Sequence, residues 1–118
     1  GVQTCALPIF LNPSQSTKLE MIKGSSSPEQ KENFVPKLVS IQLGVDNKVI
    51  WTNYDETPHT VTPDKEFVDK YSGEFGSPGV VKPGMTYEFL FTEDAKIGYH
   101  CAPHPWMKGS LEVTKQRF

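Results

Sequence analysis

Apolar and polar residues alternate along much of this chain with a period of two, the mark of half-buried β-strands. The first such run covers residues 17–23, where Leu19 and Met21 alternate with polar neighbours, and it reads as an edge strand. Residues 24–33 are rich in Ser, Pro, Glu and Lys and read as a solvated loop. Alternation resumes over residues 38–43, with Val39, Ile41 and Leu43 set against Ser40 and Gln42. A turn at Gly44-Val45-Asp46-Asn47 leads into residues 48–53, where Val49 and Trp51 share a face, and the two runs together predict a hairpin. A polar loop at 54–58 precedes another short strand at 59–62. Between Pro63 and Gly84 the pattern fades: residues 66–71 suit a helical turn, 72–79 are Gly, Ser and Pro punctuation, and Lys82-Pro83-Gly84 suits a type II turn. Residues 86–92 alternate cleanly, with Tyr87, Phe89 and Phe91 on one face. Strands at 96–101 and 109–114 complete the series, the last turning Leu111 and Val113 inward. Seven to eight short strands, no amphipathic helix and no internal repeat predict an all-β chain folded as a β-sandwich.

Composition narrows this picture. At 118 residues with 36% hydrophobic content the chain carries one domain and one modest core. Twelve Lys and Arg are interspersed with fourteen Asp and Glu, so no basic stripe exists to track phosphates, and nucleic acid is excluded as a partner. No apolar run approaches the roughly 18 residues of a membrane-spanning segment. The first ten residues, opening Gly1-Val2-Gln3-Thr4-Cys5-Ala6-Leu7-Pro8-Ile9, read as translated adapter sequence, and the domain is taken as 11–118. The competing reading, a signal-peptide remnant, lacks a positive leading segment and has too short an apolar run. Of the two cysteines, Cys5 therefore plays no part in the chemistry and does not pair with Cys101.

The chemistry concentrates near the C-terminus. Tyr99-His100-Cys101-Ala102-Pro103-His104-Pro105-Trp106-Met107 sets a thiol, an imidazole and a thioether three residues apart, and a second imidazole, His59, lies far upstream. Zinc accepts Cys and His but does not use Met. Two His, one Cys and a weak Met form the type 1 copper set: the thioether suits Cu(I), the imidazoles suit Cu(II), and neither state is fully satisfied. Pro103 and Pro105 fix φ and stiffen the loop that must aim these groups. His59 would come from a different strand, so copper would tie two parts of the sandwich together. His100 points to the opposite side of its strand from Cys101 and is a non-ligand. Trp51 and Trp106 read as packing residues.

This stretch resembles the ligand loop of the cupredoxins, and its short Cys-x-x-His-x-x-Met spacing is most similar to amicyanin and prokaryotic plastocyanin-like proteins. The resemblance runs from about residue 38 to 114 and includes Trp51-Thr52-Asn53, Pro58-His59 and the Pro83-Gly84 turn. It implies an eight-stranded Greek-key sandwich, usually exported, hence periplasmic or otherwise extracytoplasmic. It also implies one copper ion, with His59, Cys101 and His104 as equatorial ligands and Met107 as the axial one. The implied role is a monomeric one-electron shuttle between redox proteins. With Cys101 and His59 buried in the sandwich, His104 is the ligand expected to reach the surface, within an apolar rim of Ala102, Pro103, Pro105 and Trp106, and partners are expected to dock transiently at that face. One departure is Thr60, where the family often has Asn.

Two other readings stand beside the carrier. One is a reactive or open copper site, or a cupredoxin domain of a larger copper enzyme; three histidines and no His-x-His pair leave no material for a second copper centre in this chain. The other is copper storage or sensing, which three Met and two Cys do not support.

Overall fold

The computed structural model describes residues 13–114. The expectations placed on residues 1–10, including that for Cys5, lie outside the described residues. Alternation becomes sheet: eight strands form two four-stranded sheets, and two more form a small hairpin. The first sheet has the order β2-β1-β4-β8, made of β1 (Ser16–Met21), β2 (Phe34–Val35), β4 (Lys48–Asn53) and β8 (Thr86–Leu90). The second has the order β3-β10-β9-β5, made of β3 (Leu38–Gln42), β5 (Thr62–Pro63), β9 (Ala95–Cys101) and β10 (His104–Thr114). The inward sides of both sheets meet in one apolar core, as the all-β Greek-key sandwich requires. Val49 and Trp51, Phe89 and Phe91, and Leu111 and Val113 are all buried, as their alternation predicts.

Three expectations are corrected. The runs at 38–43 and 48–53 do not form a hairpin. β3 pairs in parallel with β10, and β4 pairs in parallel with β1 and antiparallel with β8, so the intervening turn crosses from one sheet to the other. Side chains hold that crossing: the Gln42 amide donates to Asp46 Oδ1 at 2.7 Å, the Gly44 amide to Asn47 Oδ1 at 2.9 Å, and Asn47 Nδ2 to the Phe91 carbonyl at 2.7 Å. Asn47 is fully buried, so the loss of its two bonds is costly. The first strand is not an edge, because β2 covers one side over Glu20 and Met21 while β4 covers the other. The helical turn expected at 66–71 is instead the hairpin of β6 (Val68–Asp69) and β7 (Gly73–Glu74). Asp69 makes it: the buried carboxylate accepts from the amides of Tyr71, Ser72 and Thr92 and from the Thr92 hydroxyl, closing the turn and tying it to the end of β8.

Two further features position the site. The Lys82–Met85 turn is of type II: the Met85 amide donates to the Lys82 carbonyl at 2.9 Å and Gly84 sits at φ +81°, where a side chain would be strained. Gly109 lies opposite Tyr99 in the β9–β10 ladder, and the buried Tyr99 ring folds across it. A Cβ at 109 would lie 2.5 Å from the Tyr99 hydroxyl, so only glycine leaves room for a phenol two residues before Cys101.

Candidate metal centre

Cys101 ends β9 and His104 begins β10, and the two residues pair directly across the intervening Ala102-Pro103. The register then shifts, with Lys108 paired to His100, so Pro105, Trp106 and Met107 are extra residues bulged from the ladder. A bulge re-aims side chains, and here it buries Met107 completely while Pro105 stays exposed. The proline-stiffened loop expected here is thus largely strand with a bulge, a stiffer support than a turn alone.

His59 arrives from the other direction. Its amide donates to the Val81 carbonyl at 3.2 Å, and the Val81 amide donates back to the His59 carbonyl at 2.6 Å. The fully buried Asn53 organises the approach, donating from Nδ2 to the carbonyls of Thr57 and Val81, both at 2.9 Å, and accepting the Asp55 amide on Oδ1 at 2.8 Å.

These elements converge on three donor atoms. His59 Nδ1 and His104 Nδ1 are 3.1 Å apart, and Cys101 Sγ lies 3.5 Å from the first and 3.4 Å from the second. A point about 2 Å from all three exists within this triangle, the length of a bond from imidazole nitrogen to a first-row metal ion. The donor set fits copper in its chemistry as well, one soft thiolate with two borderline imidazoles. Among the described residues this is the cluster of His, Cys and acidic groups whose ligand atoms come together. Met107, the fourth residue expected at the site, is fully buried in the same bulge.

His59, Cys101 and Met107 have no exposed surface, whereas His104 is partly exposed among the exposed Ala102, Pro103 and Pro105. The His104 ring sits 5.3 Å from the Trp106 indole, whose Nε1 donates to the Ser25 carbonyl at 2.9 Å. The segment read as a solvated loop therefore reaches the site. His100 is turned away, as expected, with Nδ1 2.6 Å from Asp64 Oδ1.

Thr60 makes up for the departure noted in the sequence. Its amide donates to Cys101 Sγ at 3.3 Å, a bond that stabilises a thiolate, and its hydroxyl accepts the Ala102 amide at 2.8 Å. The same residue thereby locks the two ligand-bearing segments together.

The sequence reading missed Asp55. Its Oδ2 lies 2.7 Å from His59 Nε2, with the histidine fully buried and the carboxylate nearly so. Burial works to raise the Asp55 pKa, but hydrogen bonds from the Gly24 amide, His59 and the Glu56 amide outweigh it and hold the carboxyl below its usual range. Burial also pushes His59 below the ordinary imidazole value, more than Asp55 raises it. A carboxylate four residues before a histidine carries no signal of its own; only the folded loop brings the two together.

The comparisons with known proteins agree with this geometry. Residues 23–114 match the family model described as copper binding proteins, plastocyanin/azurin family. The chain is similar to amicyanin of Paracoccus denitrificans, 35% identical over 74 residues that cover 62% of this chain and 53% of that protein. It is also similar to amicyanin of Paracoccus versutus, 30% identical over 86 residues that cover 71% of this chain and 60% of that protein. The match thus spans little more than half the length of these relatives. Among solved structures, a purple cupredoxin from Nitrosopumilus maritimus superposes with a TM-score of 0.65 at 26% identity, covering 82% of this chain and 98% of that one. With residues 23–114 of the chain matched to the family model, and with a cupredoxin sandwich carrying a Cys-His-His triangle, the chain belongs to the plastocyanin/azurin family of copper-binding proteins.

Proposed function

We propose that this protein is a type 1 copper electron carrier in which His59, Cys101 and His104 bind one copper ion equatorially and Met107 is its weak axial ligand. The observation that carries the reading is the buried triangle of two Nδ1 atoms and one Sγ, 3.1 to 3.5 Å apart. When bound, copper supplies a one-electron Cu(I)/Cu(II) couple. The chain's own residues supply the frame. Thr60 fixes the thiolate, Asn53 and Val81 fix the His59 segment, and the bulged ladder fixes His104 and Met107, so little has to move when the metal charge changes. The complete burial of Met107 favours this carrier over an open reactive site. The reading also carries the extracytoplasmic location and monomeric state that the resemblance implies. The direct test is the visible spectrum of the protein loaded with Cu(II). An intense thiolate-to-copper band, bleached on reduction and restored on oxidation, supports the reading; weak colour without such a band rejects it.

Met107 is tested separately. Met107→Gln exchanges a thioether for a harder oxygen donor, which favours Cu(II). Copper remains bound and the reduction potential falls, as measured by spectroelectrochemistry. An unchanged potential removes Met107 from the ligand set.

The partner-facing surface is part of the same proposal. Of the four residues, His104 has solvent exposure, and Ala102, Pro103 and Pro105 rim it with apolar surface. A patch of this kind suits brief docking, and transient redox interfaces are small. A charge placed there obstructs contact without touching the ligands. Pro105→Glu is expected to leave the visible band intact and to slow electron self-exchange, even at high salt where the added repulsion is screened. An intact band with an unchanged rate moves the electron route to another face.

A further inference from the structure

The two imidazoles of the donor triangle are backed differently. The His104 ring lies beside the Trp106 indole and is partly exposed. The His59 ring is fully buried, and its outer nitrogen meets the carboxylate of Asp55 at 2.7 Å. We propose that Asp55 is a positioning residue that makes His59 the stronger imidazole donor and holds the reduction potential of the copper down. The inference rests on the copper-carrier reading and extends it to the residue that tunes the site.

Three observations carry it. First, an ionised carboxylate only accepts hydrogen bonds, so the ring proton of His59 belongs on Nε2. The lone pair then lies on Nδ1, the atom that faces Cys101 Sγ and His104 Nδ1. Asp55 thereby selects the tautomer that can bind a metal.

Second, the carboxylate is held in place. Its Oδ1 accepts the Gly24 amide at 3.0 Å and the Glu56 amide at 2.8 Å, and the side chain is 4% exposed. With the bond to His59 these make three hydrogen bonds on a buried carboxylate, which resist its swinging into solvent when the metal changes charge. Gly24 belongs to the segment whose next residue, Ser25, accepts the Trp106 indole N–H. One dipeptide of the N-terminal loop thus braces the outer partners of both imidazoles.

Third, the charges in the buried site favour the oxidised metal. A divalent copper, the Cys101 thiolate and the Asp55 carboxylate sum to zero. Reduction leaves one uncompensated negative charge in a region of low dielectric, where such a charge is costly. A carboxylate on the ring N–H also raises the basicity of the ligating nitrogen, which strengthens its bond to the more highly charged ion.

Asp55→Asn is the test, because the amide oxygen can still accept the Nε2 proton while the charge is gone. In the copper-loaded protein the intense visible band is retained. The preference for Cu(II) over Cu(I) falls about tenfold, within the range for loss of a ligand's outer partner. For a one-electron couple that is a rise of about 59 mV in reduction potential. Asp55→Glu keeps the charge and brings the potential back toward the native value. An intact band with an unchanged potential in Asp55→Asn overturns the inference and leaves the carrier reading standing. A native protein without the intense band overturns the carrier reading itself. Should the variants not fold, the native protein in its Zn(II) form answers by NMR: a slowly exchanging His59 Nε2 proton supports the bond to Asp55. A ring proton that exchanges as fast as that of a free imidazole overturns it.

Discussion

Cys101→Ser is expected to give a folded protein without the intense visible band. The band requires a thiolate, the most covalent donor in the set, and a serine hydroxyl neither ionises at neutral pH nor offers the soft electron density that stabilises Cu(I). The position is fully buried, and Thr60 donates its amide to the sulfur. The serine oxygen can accept that same bond, so the fold does not depend on the sulfur. The variant separates the metal chemistry from the scaffold: circular dichroism and the apo-protein melting temperature stay near native, while titration with Cu(II) yields weak colour only. A strongly coloured Cys101→Ser protein would falsify the assignment of the thiolate ligand.

Asp69→Ala is expected to destabilise the fold strongly while leaving the metal centre's residues in place. The Asp69 carboxylate is buried and accepts from three backbone amides, of Tyr71, Ser72 and Thr92, and from the Thr92 hydroxyl. Alanine leaves those donors without an acceptor and opens the β6–β7 hairpin where it joins the end of β8. Loss of hydrogen bonds to a buried charged group costs about 3 kcal/mol. For a domain of this size that corresponds to a fall of about 12 °C in melting temperature. The same residue sets an acid limit. Burial works to raise its pKa, but the four hydrogen bonds outweigh burial and hold it below the ordinary carboxyl value of 3.8. The unfolded chain then binds the proton more readily than the folded one. The stability Asp69 contributes is full above about pH 3.8 and is lost as pH falls below that value, through the depressed folded pKa. Denaturant melts between pH 5 and 2 should show this loss in the native protein and a flatter profile in Asp69→Asn. Equal slopes in the two proteins would show that other carboxylates govern acid unfolding.

The amino-acid sequence determined which residues face inward and which carry the chemistry. A period of two follows from the pleat of a single strand, a local property. It therefore placed Val49, Trp51, Phe89, Phe91, Leu111 and Val113 in the core without knowledge of any partner strand. The Pro83-Gly84 turn was legible for the same reason, since fixed φ at one residue and freedom to adopt positive φ at the next act within four residues. The spacing of Cys101, His104 and Met107 marked the segment in which Cys101 and His104 come together with His59, and strand alternation turned His100 away from it.

Partner choice is a property of the whole chain, and tertiary structure alone decided it. Alternation in residues 38–43 and 48–53 fits a hairpin as well as it fits two strands in opposite sheets. The outcome depends on what β10 and β1 offer as parallel neighbours, which is settled by total burial. The hairpin at 68–74 depends on a carboxylate that reaches forward to Thr92, beyond any local pattern. Asp55 is the sharpest case. Its spacing from His59 has no meaning until Asn53 folds the loop and the Gly24 amide, 31 residues earlier, holds the carboxylate against the ring. Local sterics write the strands and the ligand spacing into the sequence, whereas sheet partners and the groups behind the ligands arise from contacts between distant segments that only the packed chain brings together.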